Sequence, residues 1–141
     1  MKDHLISQDI TLLEALSCIC ALAPEPLVLF VVDNEKRMVG TLTDGDSRRA
    51  LINGASVNDK VAKIMHRNFN YMKAEEIDDV KEIKRQKELK MVLVPVLDKE
   101  NHIVEIINLE KYITRLPIDA VLMAGGKGER LRPLTEKTPK P

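Results

Sequence analysis

Gly125, Gly126 and Gly128 fall within four positions, Arg130 follows two residues later, and Lys127 and Lys140 lie close by. Glycines adopt dihedrals closed to other residues and let several amide N–H groups converge on one anion. A guanidinium adds a planar fork suited to two phosphate oxygens, and ammonium groups add point charges. The loop follows a short apolar strand, Ile118-Asp-Ala-Val-Leu-Met123, so the whole reads as a phosphate cradle at a strand end. Two familiar phosphate loops do not fit. A Walker A loop needs Gly-x-x-x-x-Gly-Lys-Ser/Thr, which is absent. The dinucleotide fingerprint Gly-x-Gly-x-x-Gly would need a third glycine where Leu131 stands.

A second group with chemistry lies earlier, in Gly40-Thr-Leu-Thr43-Asp-Gly-Asp46. Here a strand runs into a helix. Gly40 would let a ligand approach the strand end, and the Thr43 hydroxyl and Asp46 carboxylate face one spot at the helix start. A carboxylate that accepts two hydrogen bonds suits a ribose diol, and free helix amides suit phosphate. Thr-x-x-Asp at this place is also close to a plain capping box, and both readings stand together.

The elements that must position these groups repeat. Shifted by 65 positions, Leu27–Asp33 falls on Val92–Asp98 and Arg37–Thr43 on His102–Asn108, with no insertion expected. Two copies at this period imply paired units rather than a long solenoid. In the first, Thr11-x-x-Glu14 opens an amphipathic helix, Pro24 and Pro26 end it, and 27–32 is an apolar strand buried on both faces. A polar turn at 33–36, a strand at 37–43 and a helix at 44–53 closed by Gly54 complete it. The second gives a helix over 77–89, strands over 91–97 and 103–108, and a helix over 109–116. A bridging helix over 57–65 with Asn58 as N-cap joins them. The charged run 81–90 is a solvated helix face.

Lys plus Arg equals Asp plus Glu, 22 each, which gives nucleic acid or an anionic membrane nothing to recognise. With aromatics at 3% there is no base-stacking platform. No stretch approaches the roughly 20 apolar residues of a membrane helix, and the start, Met1-Lys-Asp-His4, is no secretory leader; a cytoplasmic location follows. Cys18 and Cys20 sit two apart in a helix and point to different faces, which predicts small buried thiols rather than a disulfide. His4, His66 and His102 lack metal-ligand spacing, and no metal site is expected.

Two resemblances follow. The stretch from Gly125 through Pro133-Leu-Thr135, with Pro139-Lys-Pro141, resembles the opening motif of enzymes that join an NTP to a sugar 1-phosphate, mannose-1-phosphate guanylyltransferases among them. That resemblance implies that Gly125, Gly126 and Gly128 line the nucleotide, that Arg130 and Lys140 hold the reacting phosphates, and that Mg2+ and an NTP are used. A β-α-β-β-α unit used twice over about 5–116 resembles a tandem CBS (Bateman) module. It implies an α/β (α+β) fold of two units about a pseudo-twofold axis, adenine nucleotide (AMP, ADP or ATP) bound at Gly40, Thr43 and Asp46, and a homodimer. The second unit carries Glu105, Asn108 and Lys111 at the matching places, so at most one competent cleft is expected. The expected organisation is 1–56 for repeat 1, 57–116 for the bridging helix and repeat 2, and 117–141 for the truncated start of a Rossmann-like nucleotidyltransferase domain. The expected function is nucleotide sensing for a nucleotidyltransferase of sugar-nucleotide synthesis, in a fragment itself inactive; the alternative is a dimerisation scaffold without ligand.

Overall fold

Thr11 and Glu14 cap each other. Thr11 Oγ1 accepts from the Glu14 amide at 3.3 Å, and the Glu14 carboxylate accepts from the Thr11 amide at 2.8 Å. This fixes the start of α1 (Leu12–Ala21), whose Leu12, Ala15 and Ile19 face inward at helical spacing. The computed structural model describes residues 2–77 and 79–112. Within them α1 covers a three-stranded sheet. β1 (Leu5–Ser7) lies parallel to β2 (Val28–Val32), and β2 lies antiparallel to β3 (Met38–Thr43). Next come α2 (Asp44–Ile52) and the short α3 (Val61–Ile64). The second unit repeats the order with β4 (Met72–Lys73), α4 (Val80–Glu88), β5 (Leu93–Leu97) and β6 (Ile103–Asn108). Its sheet has the same parallel and antiparallel pairing.

The hairpins are copies down to their irregularities. Val28 faces Thr43 and Leu93 faces Asn108, and the register slips by one residue between Val31 and Val32 and again between Val96 and Leu97. Both turns close alike. Asp33 Oδ1 accepts from the Glu35 and Arg37 amides, Asp98 Oδ1 from the Glu100 and His102 amides, and Lys36 and Asn101 share a φ of 66°. Each carboxylate thus pairs amides that the tight turn leaves without backbone partners.

The sheets meet face to face. Phe30 and Met38 from one pack with Leu93 and Leu97 from the other, and an antiparallel bridge joins Arg37 to His102 between the two turns. Each sheet's other face carries its own core, around Leu29, Val31 and Leu42 in one and Val94, Val96 and Ile107 in the other.

Four expectations change. The constant offset of 65 holds for the hairpins only. Ile6 pairs with Val31 but Met72 with Val96, and the helix N-caps are Thr11 and Asp79. The extra residues before α4 sit in a 3-10 turn, Ala74–Glu76, so loops absorb the difference and the sheet register is kept. The bridging helix is only Val61–Ile64, and Lys60, not Asn58, precedes it. The carbonyls of Val57 and Asp59 are taken by the Leu13 and Leu12 amides, both at the start of α1, so residues 57–60 cannot wind into a helix of their own. Cys18 packs against the first core but Cys20 is exposed, as an angular separation of about 200° on one helix requires. Leu109, Glu110 and Lys111 form a turn rather than the first residues of a helix. The rest of the helix expected over 109–116, the boundary near Pro117, the strand 118–123 and the glycine loop lie outside the described residues.

Candidate functional site

β3 ends at Thr43 and α2 begins at Asp44, so the polar group expected here stands at a strand-to-helix junction. Thr43 Oγ1 accepts from the Asp46 amide at 3.1 Å, and Asp46 Oδ2 accepts from the Thr43 amide at 3.0 Å and its hydroxyl at 2.6 Å. The capping-box reading is therefore realised. It leaves Asp46 Oδ1 facing outward, where Arg49 Nη2 donates to it at 2.6 Å. Burial pushes the Asp46 carboxyl up, but the Thr43 hydrogen bonds and the Arg49 guanidinium outweigh it and hold the group below the ordinary carboxylate range.

Thr43, Asp46 and Arg49 form one wall of a cavity of about 560 Å³. Val28, Phe30 and Leu93 from the two sheets and Phe69 and Met91 give it apolar surface, and His66, Asn68 and Asn70 give it polar edges. Size and make-up suit a small organic ligand with both an apolar and a polar part: apolar side chains from both sheets face a comparable polar surface. The linker residues His66, Asn68, Phe69 and Asn70 are the part of the lining that the sequence pattern did not bring to this place. Their signal was weak, because only the sheet-to-sheet packing brings them opposite Asp46.

Gly40 is not part of this wall. A Cβ there would stand 2.9 Å from Met65 Sδ and 3.0 Å from the His66 carbonyl oxygen. Its lack of a side chain admits the linker, whose His66 pairs with Thr41 through both backbone groups at 2.8 and 2.9 Å. Gly40 thus shapes the cleft from behind, by letting residues 65 and 66 lie against β3.

The matching place in the second unit differs chemically. Asn108 Oδ1 caps the turn by accepting from the Glu110 and Lys111 amides, at 3.0 and 3.2 Å. Lys111 Nζ reaches Glu25 of the first unit at 3.1 Å, so an ion pair rather than a carboxylate facing a cavity stands there. Another cavity, of about 530 Å³, lies by the second hairpin turn, lined by Tyr71, Lys73, Glu75, Asp98 and Glu100 among others. Asp98 and Glu100 of this lining and the adjacent His102 each bring one donor atom within 4.8 Å of the others, a grouping the sequence did not suggest. Two of its members are already engaged: the His102 ring nitrogens meet the Asp98 carboxylate at 3.1 Å and the Glu35 carbonyl at 3.2 Å.

Gly125, Gly126, Gly128, Arg130 and Lys140 lie outside the described residues. Among those described, no helix is long and apolar enough to cross a membrane.

Two three-stranded sheets, related by a repeated hairpin and packed face to face with a cleft at a strand-to-helix junction, make up the fold of CBS-domain pairs. Solved structures agree. The CBS domains of a transcriptional regulator from Streptococcus pneumoniae align with a TM-score of 0.62 at 14% identity, covering 77% of this chain and 86% of that one. A CBS domain pair in complex with 5′-methylthioadenosine and S-adenosyl-L-methionine aligns at 0.58 and 25% identity, covering 75% and 84%. The cytosolic domain of the Mg2+ channel MgtE in complex with ATP aligns at 0.60 and 24% identity, covering 75% of this chain but 42% of that one. The family model described as nucleotidyl transferase matches residues 119–141. No curated protein sequence matches the chain.

Proposed function

We propose that this chain is the adenine-nucleotide-sensing pair of a sugar-1-phosphate nucleotidyltransferase, with one working cleft between Thr43–Asp46 and the linker 66–70. The observation that carries the reading is the outward Asp46 Oδ1, set at the rim of a cavity of about 560 Å³ whose walls are partly apolar. An adenine ring fits apolar walls, and a partly buried carboxylate fits the ribose hydroxyls. Relatives of the same fold solved with ATP or with S-adenosyl-L-methionine support an adenosine ligand. The nucleotidyl transferase match over 119–141 supports the attached enzyme. In that enzyme Gly125, Gly126 and Gly128 would line the NTP and Arg130 and Lys140 would hold its phosphates. A sugar-phosphate oxygen would attack the α-phosphorus and pyrophosphate would leave, a reaction in which Mg2+ supplies charge neutralisation. So few residues separate Leu116 from Ile118, where the sequence predicts a strand, that ligand-driven movement of the pair would be felt at the glycine loop. In this reading the protein works in the cytoplasm as a homodimer.

Titration calorimetry with AMP, ADP and ATP tests this. One site per chain is expected. Asp46→Ala should weaken binding at least about tenfold and cost about 1 kcal/mol of stability through the lost cap. Lys111→Ala should leave the stoichiometry at one. Two equal sites per chain would refute the single-cleft reading. A specific observation favours a second reading, the ligand-free dimerisation scaffold: Thr43 and Asp46 satisfy each other fully as a cap. A folded dimer that binds none of the three nucleotides would establish it.

A further inference from the structure

The cleft does not stop at Arg49. Beyond it lies another cavity of about 440 Å³, which shares Asp46, Arg49 and His66 with the first and adds Asn53, Asp59 and Lys63. The two chambers differ in kind. The first holds Val28, Phe30, Phe69 and Leu93, whereas the second has no aromatic carbocycle and carries Lys63, paired with Asp59 at 3.1 Å, beside the Arg49 and Asp46 that both chambers share. Arg49 stands at the junction. A Cβ on Gly45 would be 3.4 Å from Arg49 Nη1, so the guanidinium folds back over the first turn of α2. From there it reaches Asp46, while its own side chain stays 69% exposed. His66 is held at the same junction by its backbone pairing with Thr41.

We propose that Arg49 selects the ligand: it occupies Asp46 while the cleft is empty and turns to a 5′-phosphate when an adenosine enters, so the site takes adenosine 5′-phosphates over 5′-thioether and sulfonium adenosines. This rests on the reading that the cleft takes an adenosine at all.

Hydrogen-bond accounting drives the exchange. A carboxylate offers about four lone-pair directions. Thr43 uses two of them, both on Oδ2, and Arg49 uses one on Oδ1. A ribose diol needs two acceptor positions, so Arg49 must give up its place for both hydroxyls to bind. The Arg49 end of its pair with Asp46 is largely exposed and screened, so releasing it costs little. The freed guanidinium then lies at the mouth of the second chamber. A phosphate there accepts its fork of N–H groups in a charge-assisted pair. A thioether offers it nothing, and a sulfonium sets a like charge beside the freed Arg49. Ligands without the phosphate therefore displace Arg49 with no replacement partner.

Calorimetry on the whole chain with AMP, adenosine, 5′-methylthioadenosine and S-adenosyl-L-methionine tests the proposal, in the wild type and in Arg49→Gln. AMP should bind the wild type at least about tenfold more tightly than adenosine. Arg49→Gln should lose about that factor for AMP, while adenosine holds its affinity or gains, because Asp46 is no longer occupied. These opposite responses are what a merely structural role would not give. Equal weakening of both ligands, unchanged AMP affinity, or tightest binding by S-adenosyl-L-methionine would overturn the proposal and leave the adenosine cleft standing. A wild type that binds none of the four would overturn the cleft itself, and the proposal with it. Arg49 is exposed and packs on no core, so a thermal melt of Arg49→Gln should match the wild type.

Discussion

Val31 faces Gly40 across the first hairpin, and Val96 faces Glu105 across the second. The backbones are alike, and the residues differ because their surroundings do. Met65 and His66 lie against β3 so closely that a Cβ on Gly40 would collide with them, whereas Glu105 is exposed. The same divergence runs through the junctions that follow. Thr43 and Asp46 keep one carboxylate oxygen turned outward to Arg49, while Asn108 caps its turn and Lys111 is tied to Glu25 across the interface. It reaches the helices as well: Ile19 and Gln86 sit three residues before their C-caps, both buried, one apolar and one not. A duplicated scaffold has kept its backbone geometry and let its site chemistry drift. The hairpin register is held by packing on both faces of each sheet, and the junction side chains are not.

The comparison can be broken most forcefully at the packed faces. Phe30 and Pro95 are equivalent and both fully buried. Phe30→Ala should cost about 3–5 kcal/mol by denaturant unfolding, because it empties the contact between sheets. Pro95→Ala removes far less volume and should cost clearly less. Equal losses would mean that the two sheets contribute alike to the interface.

Acid should separate the units next. Among the described residues before 66, Glu14 and Asp59 are held below the usual carboxylate range first of all by the Thr11 and Ser56 amides. At Asp33 and Asp46 burial pushes the other way, and hydrogen bonds from Arg37 and Thr43 outweigh it. The second unit has only Asp98 so held among the described residues, chiefly by the His102 amide. A carboxyl whose folded value is depressed stabilises fully above the unfolded value of about 4, and that contribution fades as pH falls through the folded value. Stability should therefore be flat near neutral pH and drop below about pH 4. Amide hydrogen exchange there should show the first unit losing protection before the second. The reverse order would show that cap and turn carboxylates do not control acid loosening.

The smallest effect concerns Gln86. Its side chain is fully buried, Nε2 donates to Glu82 at 2.7 Å, and Oε1 has no partner among the described residues. Gln86→Met should be neutral or stabilise by up to about 1 kcal/mol, since it removes an unsatisfied buried acceptor at nearly constant volume. A clear loss by thermal melting would show that the amide has a partner worth keeping.

Local chemistry was legible without coordinates. Thr-x-x-Glu and Thr-x-x-Asp fixed two helix starts, because a cap depends on residues three apart and on nothing distant. The strands 28–32, 38–43, 93–97 and 103–108 followed from apolar runs between polar turns, and β6 falls where the spacing put it. The repeat was visible for the same reason: hairpin register is set by neighbouring residues. β1 and β4 were not located, since three-residue and two-residue strands carry too little periodicity to read.

By itself, then, the sequence determined the repeated hairpins, their caps and the polar group at Thr43 and Asp46, because each is decided within a few residues of chain. Only the tertiary structure decided that residues 57–60 cap α1 instead of extending a helix, that Gly40 makes room for Met65 and His66, and that the linker 66–70 closes the cleft. It likewise decided that Lys111 meets Glu25, and that Arg49 stands between two chambers. Those outcomes depend on segments distant in sequence being pressed together, and hydrophobic packing of one sheet on another is what presses them.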